Sequence, residues 1–196
     1  MKRISLKVKL IVRVTLLLIV CTLRAQSEIE TIPEITILGS SNIHDWKITS
    51  SAGKISLQVI FKDGQISLIK DVQVIIPVVY LKSDKGKKMD KKILEALKSD
   101  KFPEIKFSLD YIKKIEPINS KATIYSLGYL EIAGQTKLVE LLVNAETIDI
   151  ETIQIKLTKK IKMTDFGIKL PTALFGMVKT NDEVTIYIQF KIKLNE

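Results

Sequence analysis

The clearest pattern along the chain is a strict alternation of apolar and polar positions near its C-terminus. From Val184 to Leu194 every even-numbered residue is apolar, and the odd-numbered residues between them are polar or amphipathic. The runs 153–157 and 55–61 alternate in the same way, with isoleucine, leucine, valine or phenylalanine at every odd position. A period of two residues is that of a half-buried β-strand. These runs therefore predict strands that bury one face each.

Two further runs, Val72 to Leu81 and Leu138 to Val143, are predominantly apolar at both odd and even positions. This composition predicts strands that are covered on both faces. Turn signals separate the runs at Asp63-Gly64, at Glu116 to Asn119 and at Gly134-Gln135. Short strands at regular spacing with such turns are typical of an antiparallel sandwich or barrel, and this pattern alone does not distinguish the two.

One segment has the spacing of a helix instead. Between Asp84 and Lys98, apolar residues recur at positions 89, 93, 94 and 97, while Lys92 and its charged neighbours fall largely on the other face. We expect one amphipathic helix, at about residues 86–98, that ends before Phe102-Pro103 and caps a sheet or a barrel mouth. Docking of this helix to a membrane is the alternative, but its apolar face is small and has no aromatic anchor.

The N-terminus has the pattern of a secretory signal peptide. A basic stretch precedes the short apolar run from Val14 to Leu23, and the small residues at 25–27 suit cleavage. We expect residues 1–26 to be the signal peptide and residues 27–196 to be a single β-rich domain. Cys21, the only cysteine, lies in the first part, so the mature chain would have no thiol chemistry. Val20 before it argues against a lipoprotein signal.

The net charge of the chain limits the classes of partner that the sequence predicts. Six of the 31 Lys and Arg residues and none of the acids lie in residues 1–26, so the net charge falls from +9 to +3 without them. The remaining lysines are interleaved with acids, which is typical of an ordinary solvated surface. We therefore predict no nucleic-acid partner. After cleavage, no segment predicts stable insertion into a membrane.

Candidate chemistry is sparse. His44 is the only histidine, which excludes metal sites built on two or more histidines, and no Asp-rich loop has calcium-binding spacing. We predict no metal site, no cofactor and no catalytic residues. Adjacent strand residues point to opposite faces, so Asp45 is badly placed to orient His44, whereas Trp46 shares its face. An enzyme that acts on a small amphiphile with His44 as acid or base remains an alternative.

The segment Lys162 to Gly167 supports two interpretations. Its lysine, Thr164 and Asp165 could bind a polar head group. Alternatively, Asp165 folds the loop with its side chain, Gly167 supplies a positive φ, and Phe166 inserts into the core together with Leu174 and Phe175. The two roles are compatible at the entrance of a cavity.

Four segments carry a family resemblance. They are Asn42 to Trp46, the predicted helix with Phe102-Pro103-Glu104-Ile105-Lys106-Phe107, Leu130 to Leu141, and Lys162 to Ile186. In this order they resemble the YceI-like family, and Ser-Asn-x-His-Asp-Trp resembles a secreted subgroup from Bacteroidetes-type bacteria. The resemblance implies an all-β fold, an extended antiparallel eight-stranded lipocalin-like barrel. It also implies a periplasmic or secreted protein that holds a long isoprenoid, such as a polyprenyl lipid or quinone, for carriage, storage or protection.

A barrel of this size can hold one slender ligand in an apolar interior. Positions in the recognisable segments and on the last strand supply the candidate contacts: His44, Trp46, Thr164, Asp165, Phe166, Phe175, Ile186, Ile188 and Phe190. The alternative to a lipid-binding protein is a structural module of the cell envelope without bound ligand. A homodimer is compatible with either function.

Overall fold

The fold is an antiparallel β-sheet with one helix, in a computed structural model that describes residues 28–62, 65–173 and 177–193. The described residues form twelve strands and one α-helix: β1 (Glu28–Thr31), β2 (Glu34–Ser41), β3 (Asp45–Ser50), β4 (Lys54–Lys62), β5 (Gln65–Pro77), β6 (Lys82–Ser83), α1 (Lys87–Ala96), β7 (Glu104–Ile118), β8 (Lys121–Ile132), β9 (Gln135–Thr147), β10 (Thr152–Lys162), β11 (Thr172–Ala173) and β12 (Val178–Lys193). Two 3-10 turns lie at Val78–Tyr80 and Met163–Phe166. The predicted signal peptide lies outside the described residues.

The sheet curls around an interior. Its strand order is β1-β4-β5-β7-β8-β9-β10-β12-β2-β3-β6, with β11 paired to β12, and every pairing in the described residues is antiparallel. At one end of this order, the Thr31 hydroxyl of β1 donates to the Lys191 carbonyl of β12 at 3.0 Å. At the other end, β6 follows β5 after only the first 3-10 turn and Leu81. The β1 end of the sheet therefore contacts β12, and the β6 end lies only a few residues along the chain from β5.

The all-β antiparallel fold with one amphipathic helix is confirmed, but the predicted count of eight strands is wrong. The sequence pattern did not anticipate two interruptions that divide long runs. Ile32-Pro33 separates β1 from β2, and residues 51–53 separate β3 from β4. Proline lacks the N–H that a sheet ladder uses, and Gly53 has a φ of +149°, so neither segment continues its strand. The two-residue strands β6 and β11 account for the rest of the difference.

Local predictions fare differently. The helix α1 falls inside the expected range and begins after Gly86, whose φ is +81°. The turn expected at Glu116 to Asn119 lies later, because β7 continues to Ile118 and Asn119 makes the turn with a φ of +54°. The prediction that Leu138 to Val143 is buried on both faces is wrong, since Leu138 and Leu142 are 54% and 45% exposed. In the other run, the 3-10 turn likewise exposes Val79 and Tyr80.

In the part of the chain that the structure describes, the buried hydrophobic side chains form three clusters. The first, which we call the lower cluster, joins residues of β4, β5, β8, β9, β10 and β12: Ile55, Leu57, Ile69, Ile124, Ala145, Ile153, Ile155 and Ile192. The other two include residues of α1 or the segment that follows it, with Ile93 buried in one and Leu97 packed against both. The helix therefore lies at the end of the interior opposite the lower cluster. This arrangement leaves the middle of the sheet to line a cavity.

Candidate functional site

The candidate site is an apolar cavity of about 470 Å³ enclosed by the curled sheet. Its wall is made by the inward positions of the alternating strands, because successive side chains of a strand point to opposite faces. On β12 these are the even residues Val184, Ile186, Ile188, Phe190 and Ile192, the pattern from which the strand was predicted. The volume lies within the range of roughly 300–1,000 Å³ typical of ligand sites.

The two ends of the cavity differ in character. Towards the lower cluster the lining is aliphatic, with Ile55, Leu57 and Ile124 buried side by side. Towards α1 the lining includes Met89, Ile93 and most of the polar groups. The helix packs its apolar face on this end. We call the polar lining residues at this end the mouth. A long apolar ligand would therefore meet polar groups at one end and hydrocarbon along the rest.

The mouth is polar and cationic. Ser41, His44, Lys92, Thr172 and Thr180 contribute to its lining, and no carboxylate appears among the described lining residues of the whole cavity. The Lys92 ammonium donates to the Thr172 carbonyl at 3.3 Å, and the Thr180 hydroxyl donates to the Pro171 carbonyl at 2.8 Å. These two bonds hold Pro171 and the first residue of β11 against their neighbours. The groups at the mouth suit an acceptor-rich head group.

The β2–β3 hairpin positions His44 at this mouth. The Ser41 hydroxyl donates to the His44 carbonyl at 2.8 Å and accepts the His44 backbone N–H at 3.2 Å. Asn42 fastens the hairpin to β12, since its side-chain oxygen accepts the Lys179 N–H at 2.8 Å and its amide nitrogen donates to the Met177 carbonyl at 2.9 Å. The Ser-Asn-x-His motif is thus explained by the geometry of the hairpin.

Five of the predicted site residues lie on the cavity wall: His44, Trp46, Ile186, Ile188 and Phe190. His44 and Trp46 share a face of the hairpin, as alternation required. The Trp46 indole N–H donates to the Ser40 carbonyl at 3.2 Å, which orients the ring. Their contact with a ligand stays a prediction. Phe175 lies outside the described residues.

Thr164, Asp165 and Phe166 are not among the described residues that line the cavity, and their contact with a ligand stays a prediction. Phe166 is 1% exposed and packs with Ile132, Ala133 and Ile168 in a buried cluster, as the core interpretation expected. Gly167 has the expected positive φ, +63°. Asp165 is exposed. The loop is instead fixed by a residue that the sequence pattern did not single out, the distant Asp182.

Asp182 accepts two hydrogen bonds from Thr164, at 2.6 Å from the hydroxyl and at 2.9 Å from the backbone N–H. These bonds stabilise the charged carboxylate. The hydroxyl, followed by the backbone N–H, accordingly lowers the pKa of Asp182 from its ordinary value. The pair ties the second 3-10 turn to the start of β12.

Seven polar lining residues were not predicted as site residues: Ser41, Lys92, Lys106, Ser126, Lys159, Thr172 and Thr180. Lys159 continues the inward-facing positions 153, 155 and 157 of β10. The alternation therefore indicates an inward side chain at position 159, although this residue is charged and the others are apolar. Lys92 was assigned to the solvated face of the helix, yet it also lines the cavity. Ser126 is 3% exposed within the wall, and its hydroxyl donates to the Leu141 carbonyl at 3.4 Å.

The described residues contain no cluster of three or more His, Cys, Asp or Glu placed to hold a metal ion. Within the same residues, no side-chain hydrogen bond joins His44 to a carboxylate or a hydroxyl group. The described helices include none that is long and apolar enough to cross a membrane.

Comparison with solved structures finds the same fold in several proteins. A polyisoprenoid binding domain from Saccharophagus degradans, implicated in plant cell wall breakdown, is 7% identical with a TM-score of 0.64, over 86% of this chain and 100% of that one. BcnA from Burkholderia cenocepacia is 18% identical with a TM-score of 0.59, over 81% and 95%. The YceI protein of Campylobacter jejuni is 21% identical with a TM-score of 0.53, over 80% and 85%.

At these identities the structural likeness shows the fold alone. No curated protein sequence matches the chain significantly. The family model for the YceI-like domain, however, matches residues 25–192, which is most of the chain and includes every described strand up to Ile192 of β12. The sequence match and the shared fold agree, and the chain belongs to the YceI-like family.

Proposed function

We propose that this protein binds a long-chain isoprenoid or a similar lipid in the cavity of the curled sheet. The observation that carries the proposal is the aliphatic lining that extends from the mouth to the lower cluster. A solved relative in fold is itself described as a polyisoprenoid binding domain, which supports the ligand class. Carriage, storage or protection of the lipid in the periplasm, after removal of the signal peptide, completes the proposal.

The apolar wall supplies the binding free energy. Removal of apolar surface from water contributes about 25 cal/mol per Å², so roughly 300 Å² of buried tail contributes about 7.5 kcal/mol before the cost of association is counted. Because the wall presents few polar groups, it selects a tail by its width and its apolar character only. Selectivity would come from the mouth.

The mouth favours a head group that accepts hydrogen bonds. Lys92 lies there beside His44 and two threonines, and no described lining residue is acidic. Carbonyl, hydroxyl or phosphate oxygens can accept from these donors. A quinone or a polyprenyl alcohol or phosphate would place its head there and its tail along β8, β10 and β12.

Native mass spectrometry with organic extraction tests the proposal on the full chain expressed with its N-terminal segment and purified from the periplasm. We expect an additional bound mass that matches a polyprenyl lipid or quinone. Recovery from the periplasm also checks the proposed location. Protein that stays ligand-free after incubation with such lipids would reject lipid binding and favour the structural-module alternative.

A further inference from the structure

The wall of the cavity is not uniformly paired. The antiparallel register between β9 and β10 joins Thr147 to Ile153 and ends at Val143 and Leu157. Beyond that point β9 continues to Gln135 and β10 to Lys162, but the two strands share no further ladder pairs. β9 remains paired to β8 and β10 to β12 over these lengths. We call the unpaired stretch between residues 136–142 and 158–162 the slit.

Among the described residues, one side-chain hydrogen bond crosses the slit. The Lys159 ammonium donates to the Glu140 carbonyl of β9 at 2.8 Å. That carbonyl faces β10, so the main-chain groups of Leu138 and Leu142, two residues away on either side, face it too. An inward-pointing charge is one of the devices that protect an unpaired strand edge. Lys159 serves here as a cap on that edge and as part of the cavity wall.

The side chains along the slit face the cavity on one side of the sheet and the outer surface on the other. On the inner side its borders are Val139, Leu141 and Ile161, all of which line the cavity. On the outer side Leu138 and Leu142 are 54% and 45% exposed. An apolar chain that crosses the wall here would therefore meet apolar side chains on both faces of β9.

Other parts of the boundary are better sealed. The register between β5 and β7 also ends early, at Gln73 and Ser108. There, however, Ile69 is buried in the lower cluster, and Val72 and Ile112 pack against it. At the mouth, the buried Ile93 of α1 belongs to a packed cluster. Widening either region would separate buried hydrophobic side chains. In the slit, one lysine hydrogen bond joins the two strands, and packing against a buried cluster is confined to its end at Ile161.

We propose that the hydrocarbon ligand enters and leaves the cavity sideways, through the slit between β9 and β10, with Lys159 as its latch. The inference rests on the proposed lipid binding and adds the route to it. The strands lie about 4.8 Å apart where they are paired, which blocks a prenyl chain, so passage requires the unpaired stretch to widen. Release of Lys159 from the Glu140 carbonyl permits that movement.

A cross-link across the slit tests the route. In a Cys21→Ser background, Glu140→Cys and Lys160→Cys would face each other if the register continued, and both native side chains are exposed. A short bis-maleimide joins the two thiols. The matched control, Asn144→Cys with Lys156→Cys, links the same strands at a pair that is already in register. Uptake and release of a fluorescent long-chain prenyl alcohol are followed by stopped flow.

We expect the cross-slit link to slow uptake and release by about tenfold or more, while equilibrium affinity stays unchanged, because a barrier acts equally in both directions. The control link should change neither rate. Equal rates with and without the cross-slit link would overturn the sideways route and leave lipid binding intact. Failure of every variant, unlinked ones included, to bind the probe would overturn the proposed function and the route together.

A second variant tests the latch without a cross-link. Lys159→Met keeps an unbranched side chain but removes the donor to Glu140, so uptake and release should both accelerate. Lys156→Met, on the same strand with its side chain exposed, is the control and should leave the rates unchanged. Rates in Lys159→Met that match the control would exclude the latch.

Discussion

The indole ring of Trp46 lies across the backbone of Gly39, its cross-strand partner in the β2–β3 hairpin. A Cβ at position 39 would overlap the ring, so the tryptophan can occupy this place only because its partner is a glycine. The glycine is required by the packing of a neighbour and not by its own φ, since it is not among the glycines with positive φ. The pair shapes the cavity wall near the mouth.

Gly39→Ala should therefore displace the indole and destabilise the protein by about 1–3 kcal/mol, the usual cost of overpacking. The free energy of unfolding from urea titration, followed by circular dichroism, measures this. In a Trp46→Ala background the same substitution should cost almost nothing, and the double-mutant cycle isolates the coupling. An equal cost in both backgrounds would show that the ring is not the cause.

A large side chain placed in the cavity should compete with the ligand. Leu157 lines the cavity, whereas Thr158, the next residue of β10, is exposed. If Leu157→Trp displaces roughly 60 Å² of ligand contact, it costs about 1.5 kcal/mol of binding, which is roughly a tenfold weaker Kd. Thr158→Trp is the control, and titration with a prenyl alcohol is the measurement. Equal affinities in the two variants would place the ligand elsewhere.

Phe166 should matter for stability and not for affinity. It is 1% exposed and does not line the cavity itself, but packs behind Ile132 and Ile168, which do. Phe166→Ala should cost about 3–5 kcal/mol in the free energy of unfolding, as deletion of a buried aromatic ring does. The milder Phe166→Leu keeps the protein folded for titration. Weaker ligand binding by folded Phe166→Leu would return Phe166 to the list of ligand contacts.

Two glycines with similar φ provide a matched comparison. Gly86 and Gly134 have φ values of +81° and +80°, but a Cβ meets nothing within 4 Å at Gly86 and overlaps the Phe102 ring at Gly134. Gly86→Ala should cost about 1–3 kcal/mol from backbone strain alone. Gly134→Ala should cost more, measured by thermal or urea unfolding. A smaller cost at Gly134 would mean that Phe102 moves aside freely.

The Asp182–Thr164 contact predicts a pH dependence. Because the folded-state pKa of Asp182 is lowered, its contribution to stability is complete above the unfolded pKa of about 3.9 and is lost as the pH falls through the folded value. In Thr164→Val the hydroxyl donor is gone, so the pKa of Asp182 should rise towards its ordinary value. Carboxyl chemical shifts in an NMR pH titration measure the pKa of Asp182 in the original chain and in Thr164→Val. An unchanged pKa would assign the shift to other groups.

Much of the fold was readable from the sequence because period-two burial is a local signal. The inward residues of β12 and the helix that covers the mouth followed from it directly. Long-range geometry was not readable in this way. The approach of Asp182 to Thr164 joins residues eighteen positions apart, so the loop at 162–167 offered its own Asp165 as the nearest explanation.

The cavity contacts show the same division. Ile186, Ile188 and Phe190 were found from alternation, and Lys159 occupies an inward position that a two-class pattern of apolar and polar residues treats as an error. The position at which β9 and β10 separate depends on the curvature of the whole sheet. No residue type in the slit indicates this position in the sequence. Exposure of Leu138 and Leu142 likewise reflects the absence of a covering layer, which composition alone does not specify.

Trp46 is the only tryptophan of the chain, and its indole forms part of the cavity wall. All tryptophan emission of the protein therefore arises from a single ring on the wall of the cavity. The colour and intensity of that emission respond to the polarity around the ring, so filling of the cavity can be followed optically without any attached label. The protein carries its own intrinsic spectroscopic probe at the site where its chemistry is proposed to occur.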